Sequence, residues 1–255
     1  MAVRIEGSRV LVTGAGRGLG RVFAESLLER GAATVYAGVR GAGHLVPTGA
    51  VPVRLDITRG EDVATAAARC ADIDILINNA GLMRFAPVLA APDIDAAHEE
   101  METNYFGTLR MCRAFAPVLA ANGGGALVNI LSIVSWFANP LNSSYCASKS
   151  AAWSLTNAAR IELRRQGTLV TGVFAGVIDT DMGAAFPHLS KISPQSVADQ
   201  ALDGIEAEAE EVLCDDRTRS VKAAMPDDLA VIYPQHQAIW DALQPGNAQP
   251  LRPGH

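Results

Sequence analysis

The run RVLVTGAGRGLGRVFAESLLERGA, residues 9–32, restricts the fold of this chain more than any other stretch. A short β-branched segment (9–14) ends in glycine. Val22, Phe23, Ser26, Leu27 and Arg30 then recur at helical spacing until Gly31 stops them. An apolar strand that feeds directly into a helix must reach its neighbour by a crossover, which makes the neighbour parallel. The rest of the chain supplies those neighbours. Strand-like runs fall at 34–39, 51–56, 73–81, 123–132, 168–176 and 211–214, and helical patterns at 62–70, 103–121, 144–167 and 193–210. The last helix opens on Ser193-Pro194, an N-terminus signal. The expected fold is α/β: a doubly wound, mostly parallel sheet of seven strands with helices on both faces. It forms one domain over residues 1–243, and the Pro- and Gly-rich stretch 244–255 is expected to be a flexible tail.

Composition removes several function classes. With 49% hydrophobic and 19% charged residues the chain is globular, not disordered. A net charge of -6 and scattered arginines argue against nucleic-acid binding. Cys70, Cys112, Cys146 and Cys214 lie tens of residues apart, and His44, His98, His188, His236 and His255 form no ligand pair. Neither a disulfide framework nor a metal site is expected. The start lacks the apolar region of a signal peptide, and no apolar run is long enough for a bilayer. A reduced, cytoplasmic protein without a membrane partner is the expectation.

Two short stretches carry chemistry. The loop TGAGRGLG places Gly14, Gly18 and Gly20 between the first strand and its helix. It does not satisfy G-x-G-x-x-G: from Gly14 the final position is Leu19, and from Gly16 it is Arg21. The physics is nevertheless that of a phosphate cradle, since bare backbone approaches an anion at the positive end of a helix. The stretch SSYCASKSA sets Tyr145 and Lys149 one helical turn apart, in a chain with only four Tyr and three Lys. At i,i+4 both side chains share a face. A free phenol titrates near 10, and an adjacent cation favours its ionised form.

Together these stretches resemble the short-chain dehydrogenase/reductase family, in its single-domain branch. The resemblance spans roughly residues 6–215 and follows the family's motif order: TGAGRGLG, Asp56 after the third strand, NNAG at 78–81, Asn104, Ser132, then YCASK. Ser132 precedes Tyr145 by thirteen residues, the family's usual separation, which favours it over Ser135. The resemblance implies a Rossmann-type fold and four site residues. Ser132 would bond the substrate carbonyl, and Tyr145 would donate or remove the proton. Lys149 would bind the nicotinamide ribose and lower the Tyr145 pKa, and Asn104 would hold a water linking Lys149 to solvent. Gly14, Arg17, Gly18, Leu19 and Gly20 would hold the dinucleotide. Asp56 and Ile57 would flank its adenine, Asn79, Ala80 and Gly81 would line its cleft, and Ile178 and Thr180 would lie near its carboxamide.

The cofactor is expected to be NADP(H) over NAD(H). The second strand ends YAGVR, without the acid that bonds a ribose 2′-hydroxyl, and Arg40 and Arg17 offer guanidinium groups to a 2′-phosphate. The expected activity is hydride transfer between nicotinamide and a small-molecule carbonyl or secondary alcohol, with ketone or aldehyde reduction favoured. A non-catalytic NADP(H)-binding regulator on the same fold is the alternative. Apolar surface on the helices at 103–121 and 144–167 suits a homodimer or homotetramer.

The chain departs from the family pattern after the sixth strand, where Ala175 replaces a proline in AGVIDTDM. The short segment at 183–193 predicts a poorly covered pocket that orders with ligand. Trp136 and Phe137 stand where relatives have small residues. They either pack or make an oligomer contact, or they form an apolar pocket wall with Met83, Phe85, Phe174 and Phe186.

Overall fold

The computed structural model describes residues 3–41 and 45–243. Seven strands form one sheet: β1 (Arg9–Thr13), β2 (Thr34–Val39), β3 (Val51–Arg54), β4 (Ile75–Asn78), β5 (Ala126–Ile130), β6 (Leu169–Phe174) and β7 (Glu211–Leu213). Their order is β3-β2-β1-β4-β5-β6-β7, and every pairing is parallel. Pro52 is tolerated because β3 is an edge strand.

Strand periodicity fills both faces. Val10 and Val12 of β1, Ile75 and Ile77 of β4, and Ala126 and Val128 of β5 enter one core. There they meet α1 (Gly18–Glu29) and α6 (Pro194–Glu206). The intervening Leu11, Leu76 and Leu127 enter the other. This second core lies under α2 (Gly60–Arg69), α4 (Thr108–Ala121) and α5 (Ser143–Leu163). Phe23 and Phe115 are fully buried, one in each core, and burying each contributes about 1.5–3 kcal/mol. Ser193 caps α6 as its sequence signalled, accepting from Ser196 N at 3.1 Å. Gly167, at φ 77°, ends the turn that follows α5.

Two parts of the fold differ from the sequence reading. The long helix does not begin near residue 103. It starts as α3 (Asp95–Met101), passes through a π-helical turn (Glu102–Gly107) and continues as α4. The sequence DAAHEEM is too polar to show an apolar period, so only the α4 portion was visible. Beyond β7 the chain forms α7 (Asp216–Ala224), α8 (Asp228–Val231) and α9 (Tyr233–Ala242), which no pattern had suggested. Asp215 starts the first of these by accepting from Thr218 N at 2.8 Å. The stretch 244–255 expected to be a tail, and His44 and His255, lie outside the described residues.

Among the described residues no helix is long and apolar enough to cross a membrane, and no cluster of His, Cys, Asp or Glu could hold a metal.

Candidate active site

The strand order reverses between β1 and β4, so the crossovers leave in opposite directions and a crevice opens at the strands' carboxyl ends. Thr13 and Asn79 brace that crevice. The Thr13 hydroxyl accepts from Asn79 N and Ala80 N, both at 3.0 Å, and Asn79 Nδ2 donates to Thr13 O at 2.9 Å. Deeper in, Asn78 Nδ2 donates to Asn129 Oδ1, and Asn129 Nδ2 to Thr156 Oγ1, both at 2.9 Å. These bonds fix β4 against β5 and α5, and leave Asn78 Oδ1 buried without a partner among the described residues.

The glycine loop closes one end of the crevice. Gly14 turns the chain at φ 67°, a conformation that favours glycine. A Cβ on Gly20 would meet Gly14 O at 2.3 Å. Gly20→Ala is therefore expected to cost about 1–3 kcal/mol of stability by overpacking, read as a lower midpoint in chemical denaturation. Arg17, the residue before α1, provides no side-chain cap, and the first turn holds no acid. The amides there are open to an anion.

A cleft of about 690 Å³ runs from this loop to α5. Its walls include Gly14, Arg17, Gly18, Leu19, Gly20, Arg40, Asp56 and Ile57. Asn79, Ala80, Gly81, Ile178, Thr180, Ser132, Tyr145 and Lys149 complete the sequence-predicted set found in it. Asn104 lies behind the wall. Its Nδ2 hydrogens go to Leu82 O at 2.8 Å and Ser148 Oγ at 2.9 Å, while its Oδ1 accepts from Leu82 N at 2.8 Å. That leaves one acceptor position on Oδ1 for the water implied by the resemblance. Both Oδ1 and the Lys149 ammonium face the bare Cα of Gly81.

Ser132 stands in the cleft, while Ser135 is buried behind it and accepts from Ser132 N at 3.3 Å. Lys149 is 6% exposed and donates to Ile130 O at 2.9 Å. Burial pulls its ammonium down to about 8. Burial also pushes the Tyr145 phenol up, with only part of the rise offset by the Ser132 hydroxyl. The expectation that Lys149 lowers the phenol is thus not met by these residues. Desolvation dominates, and the ammonium Nζ lies 5.8 Å from the ring centroid.

At the far end of the cleft, Asp56 accepts from Thr58 N at 3.0 Å and Thr58 Oγ1 at 2.7 Å. Burial alone would raise this carboxyl, but the Thr58 bonds and the charges of Arg40 and Arg59 hold it below its usual range. Arg17 pairs with Asp181 at 3.2 Å, both largely exposed. Such a pair is worth little and is readily exchanged for a stronger anion.

The aromatic residues divide between wall and core. Phe137, Phe186 and Met83 line the cleft, and the Phe186 ring centre is 4.8 Å from that of Phe85. Trp136 instead stacks on Phe174 at 4.4 Å, both buried, with the Lys222 ammonium 4.7 Å from the Trp136 ring. The segment after β6 covers more than its length suggested. Ile192 and Asp179 pinch its base (Asp179 N to Ile192 O, 2.9 Å), and Phe186 and Leu189 reach the cleft. Sequence reasoning missed Arg84, Asn139, Asn142 and Arg217 as lining residues. Arg217 had one available signal, since residues just beyond a parallel strand's carboxyl end border the crevice.

An α/β sheet with an anion-ready helix start and a hydroxyl, a phenol and an ammonium at one crevice defines a dinucleotide-binding architecture. A profile for short chain dehydrogenases matches residues 8–189. A sorbitol dehydrogenase from Cereibacter sphaeroides is 33% identical over 187 residues, covering 69% of this chain and 73% of that protein. A short chain dehydrogenase from Burkholderia cenocepacia J2315, solved in complex with NADP, is 45% identical with a TM-score of 0.85. The match covers 95% of this chain and 100% of that one. A gluconate 5-dehydrogenase from the same organism, in complex with NADP and tartrate, is 26% identical with a TM-score of 0.77, covering 85% of this chain and 97% of that one. The chain belongs to the short chain dehydrogenase family and is an oxidoreductase of that family.

Proposed function

We propose that the protein is an NADP(H)-dependent reductase of ketones or aldehydes. The observation that carries this reading is the meeting of Ser132, Tyr145 and Lys149 in the cleft that begins at the α1 N-terminus. The dinucleotide fits the residues present. The loop amides at Gly14–Gly20 would hold its pyrophosphate, and Arg17 and Arg40 its 2′-phosphate. Asp56 and Ile57 would hold its adenine edge, and Asn79, Ala80 and Gly81 would line its path. Ile178 and Thr180 would hold its carboxamide, and Lys149 its ribose hydroxyls. When bound, it supplies the hydride.

The chain's own residues handle the oxygen. Ser132 Oγ donates to the carbonyl oxygen and fixes its position. Tyr145 Oη donates the proton that the developing alkoxide requires. A phenol pushed upward by burial starts protonated at neutral pH, which suits reduction. Lys149 is mostly charged at pH 7 and stabilises negative charge arising on Tyr145. Asn104 holds the backbone of Leu82 through both its N and O, and would offer its remaining acceptor position to a relay water.

A non-catalytic regulator would need none of this acid–base apparatus, and its retention favours the enzyme. A cytoplasmic location and a homo-oligomer accompany the reading. Exposed Phe106, in the π turn, and Ile161, on α5, provide apolar contact surface for assembly.

Steady-state kinetics with NADPH and NADH test the cofactor assignment. The wild type is expected to favour NADPH, and Arg40→Asp to reduce the kcat/KM ratio by about tenfold or more through loss of a charged contact. An unchanged ratio in the variant would sink the assignment.

A further inference from the structure

Between β4 and α3 the chain runs past the site without joining the sheet, yet every second residue is anchored. Leu82 is held through both its N and O by Asn104. Arg84 N donates to Glu100 Oε1 at 2.6 Å. Ala86 O accepts from Ser144 Oγ at 3.1 Å, and Val88 N donates to Ser143 Oγ at 2.8 Å. Leu82 and Arg84 themselves also reach the cleft. Met83 lines the cleft, and Phe85 packs on Phe186, which also lines it. Side chains thus replace a neighbouring strand, and the anchors come from the helix carrying Tyr145 and from the one preceding α4.

We propose that Glu100 is the central positioning residue of this ladder, setting the wall made by Met83 and Phe85 and hence the fit of a carbonyl substrate beside Tyr145. The proposal rests on the reductase reading for its substrate, but the ladder itself does not. Glu100 is 0% exposed, and its Oε2 lacks a hydrogen-bond partner among the described residues. The Ser144 hydroxyl is within bonding reach of the carboxyl, but its one hydrogen goes to Ala86 O. A protonated Oε2 would donate to Ser144 Oγ, whereas an ionised one would draw the Ser144 hydrogen away from Ala86 O, which also accepts from Ser144 N.

The surrounding charges agree. Burial raises the Glu100 carboxyl; the bonds from Ser144 and Arg84 N and the Arg84 charge oppose the rise, and Glu99 adds to it. The Arg84 guanidinium is taken by Glu99. Across from Glu100 on α5 stand Tyr145 and Cys146, each raised further by a charge on Glu100. A carboxyl raised in the fold contributes stability below its unfolded value that is lost as pH rises through its folded value. The wall therefore loosens, and Tyr145 becomes a weaker acid, on the alkaline side.

The test compares wild type, Glu100→Leu and Glu100→Gln. Leucine removes the rung and is expected to raise the KM for a carbonyl about tenfold, with NADPH affinity unchanged within about twofold. Glutamine keeps an acceptor for Arg84 N and a donor for Ser144, and is expected to recover most of that loss. An unchanged KM in the leucine variant overturns the proposal, as does an equal loss of NADPH affinity, which would mark general loosening. Amide exchange at Arg84 needs no turnover, so it separates this proposal from the reductase reading. Its protection is expected to fall in the wild type as pH rises above the ordinary carboxylate range and to hold in Glu100→Gln. Identical pH behaviour in the two proteins overturns the proposal even if the leucine variant does not fold.

Discussion

Replacing Tyr145 with phenylalanine is expected to lower kcat for carbonyl reduction by about a thousandfold, within the range for losing a positioned general acid. NADPH binding should be unchanged. The substitution removes a single oxygen, and the ring retains its packing against Ile133 and Val134. The phosphate-binding amides lie at the other end of the cleft, at the start of α1. Ser132 remains in place, but a serine hydroxyl is far too weak an acid to substitute. Stopped-flow NADPH oxidation beside a fluorescence titration of binding separates the two quantities. Equal kcat in the variant removes Tyr145 from its role.

The second large effect has opposite signs for stability and activity. Lys149→Met is expected to abolish most turnover yet make the protein more stable near neutral pH. Burial holds the ammonium at about 8 instead of its ordinary 10.5. A lysine lowered in the fold costs stability below its folded value, because the charged form is poorly solvated there. The cost disappears as pH rises from about 8 toward 10.5, where the unfolded chain binds the extra proton. The shift corresponds to something on the order of 3 kcal/mol, from which losing the bond to Ile130 O subtracts about 1 kcal/mol. Methionine fills the same channel without a charge, so a gain of about 2 kcal/mol is expected at pH 7, shrinking above pH 8. Urea unfolding at several pH values checks it. Equal stability at every pH would show that Lys149 is not strained by its site, a strain that the catalytic role proposed for it would explain.

The same contrast between local and distant causes explains what the sequence revealed. The strand–glycine–helix unit at 9–32 and the alternation in β1, β4 and β5 are local patterns, and the sheet followed from them. Tyr145 and Lys149 were legible from their i,i+4 spacing on one helix, whereas Ser132 was picked out by the family resemblance, thirteen residues before Tyr145. Trp136 and Phe174 were ambiguous because an aromatic ring suits a wall or a core equally well, and only the stacking of the two decided it. Asp95–Met101 was missed because its helix is held by tertiary contacts, not by an apolar stripe. Glu100 was invisible for the same reason. A glutamate in DAAHEEM reads as a solvated face, and its burial follows from the packing of α3 on α5. The rise that burial imposes on the Tyr145 phenol was not legible, because i,i+4 spacing conveys proximity but not desolvation.

The central claim is that this cleft moves a hydride to a carbonyl carbon. Its most direct test is incubation of the wild-type protein with NADPH deuterated at nicotinamide C4 and a panel of aldehydes, ketones and quinones, followed by mass spectrometry of the products. At least one product alcohol is predicted to carry a single deuterium on its carbinol carbon. Tight NADPH binding with no labelled alcohol from any carbonyl would contradict the account and favour a binding protein over an enzyme.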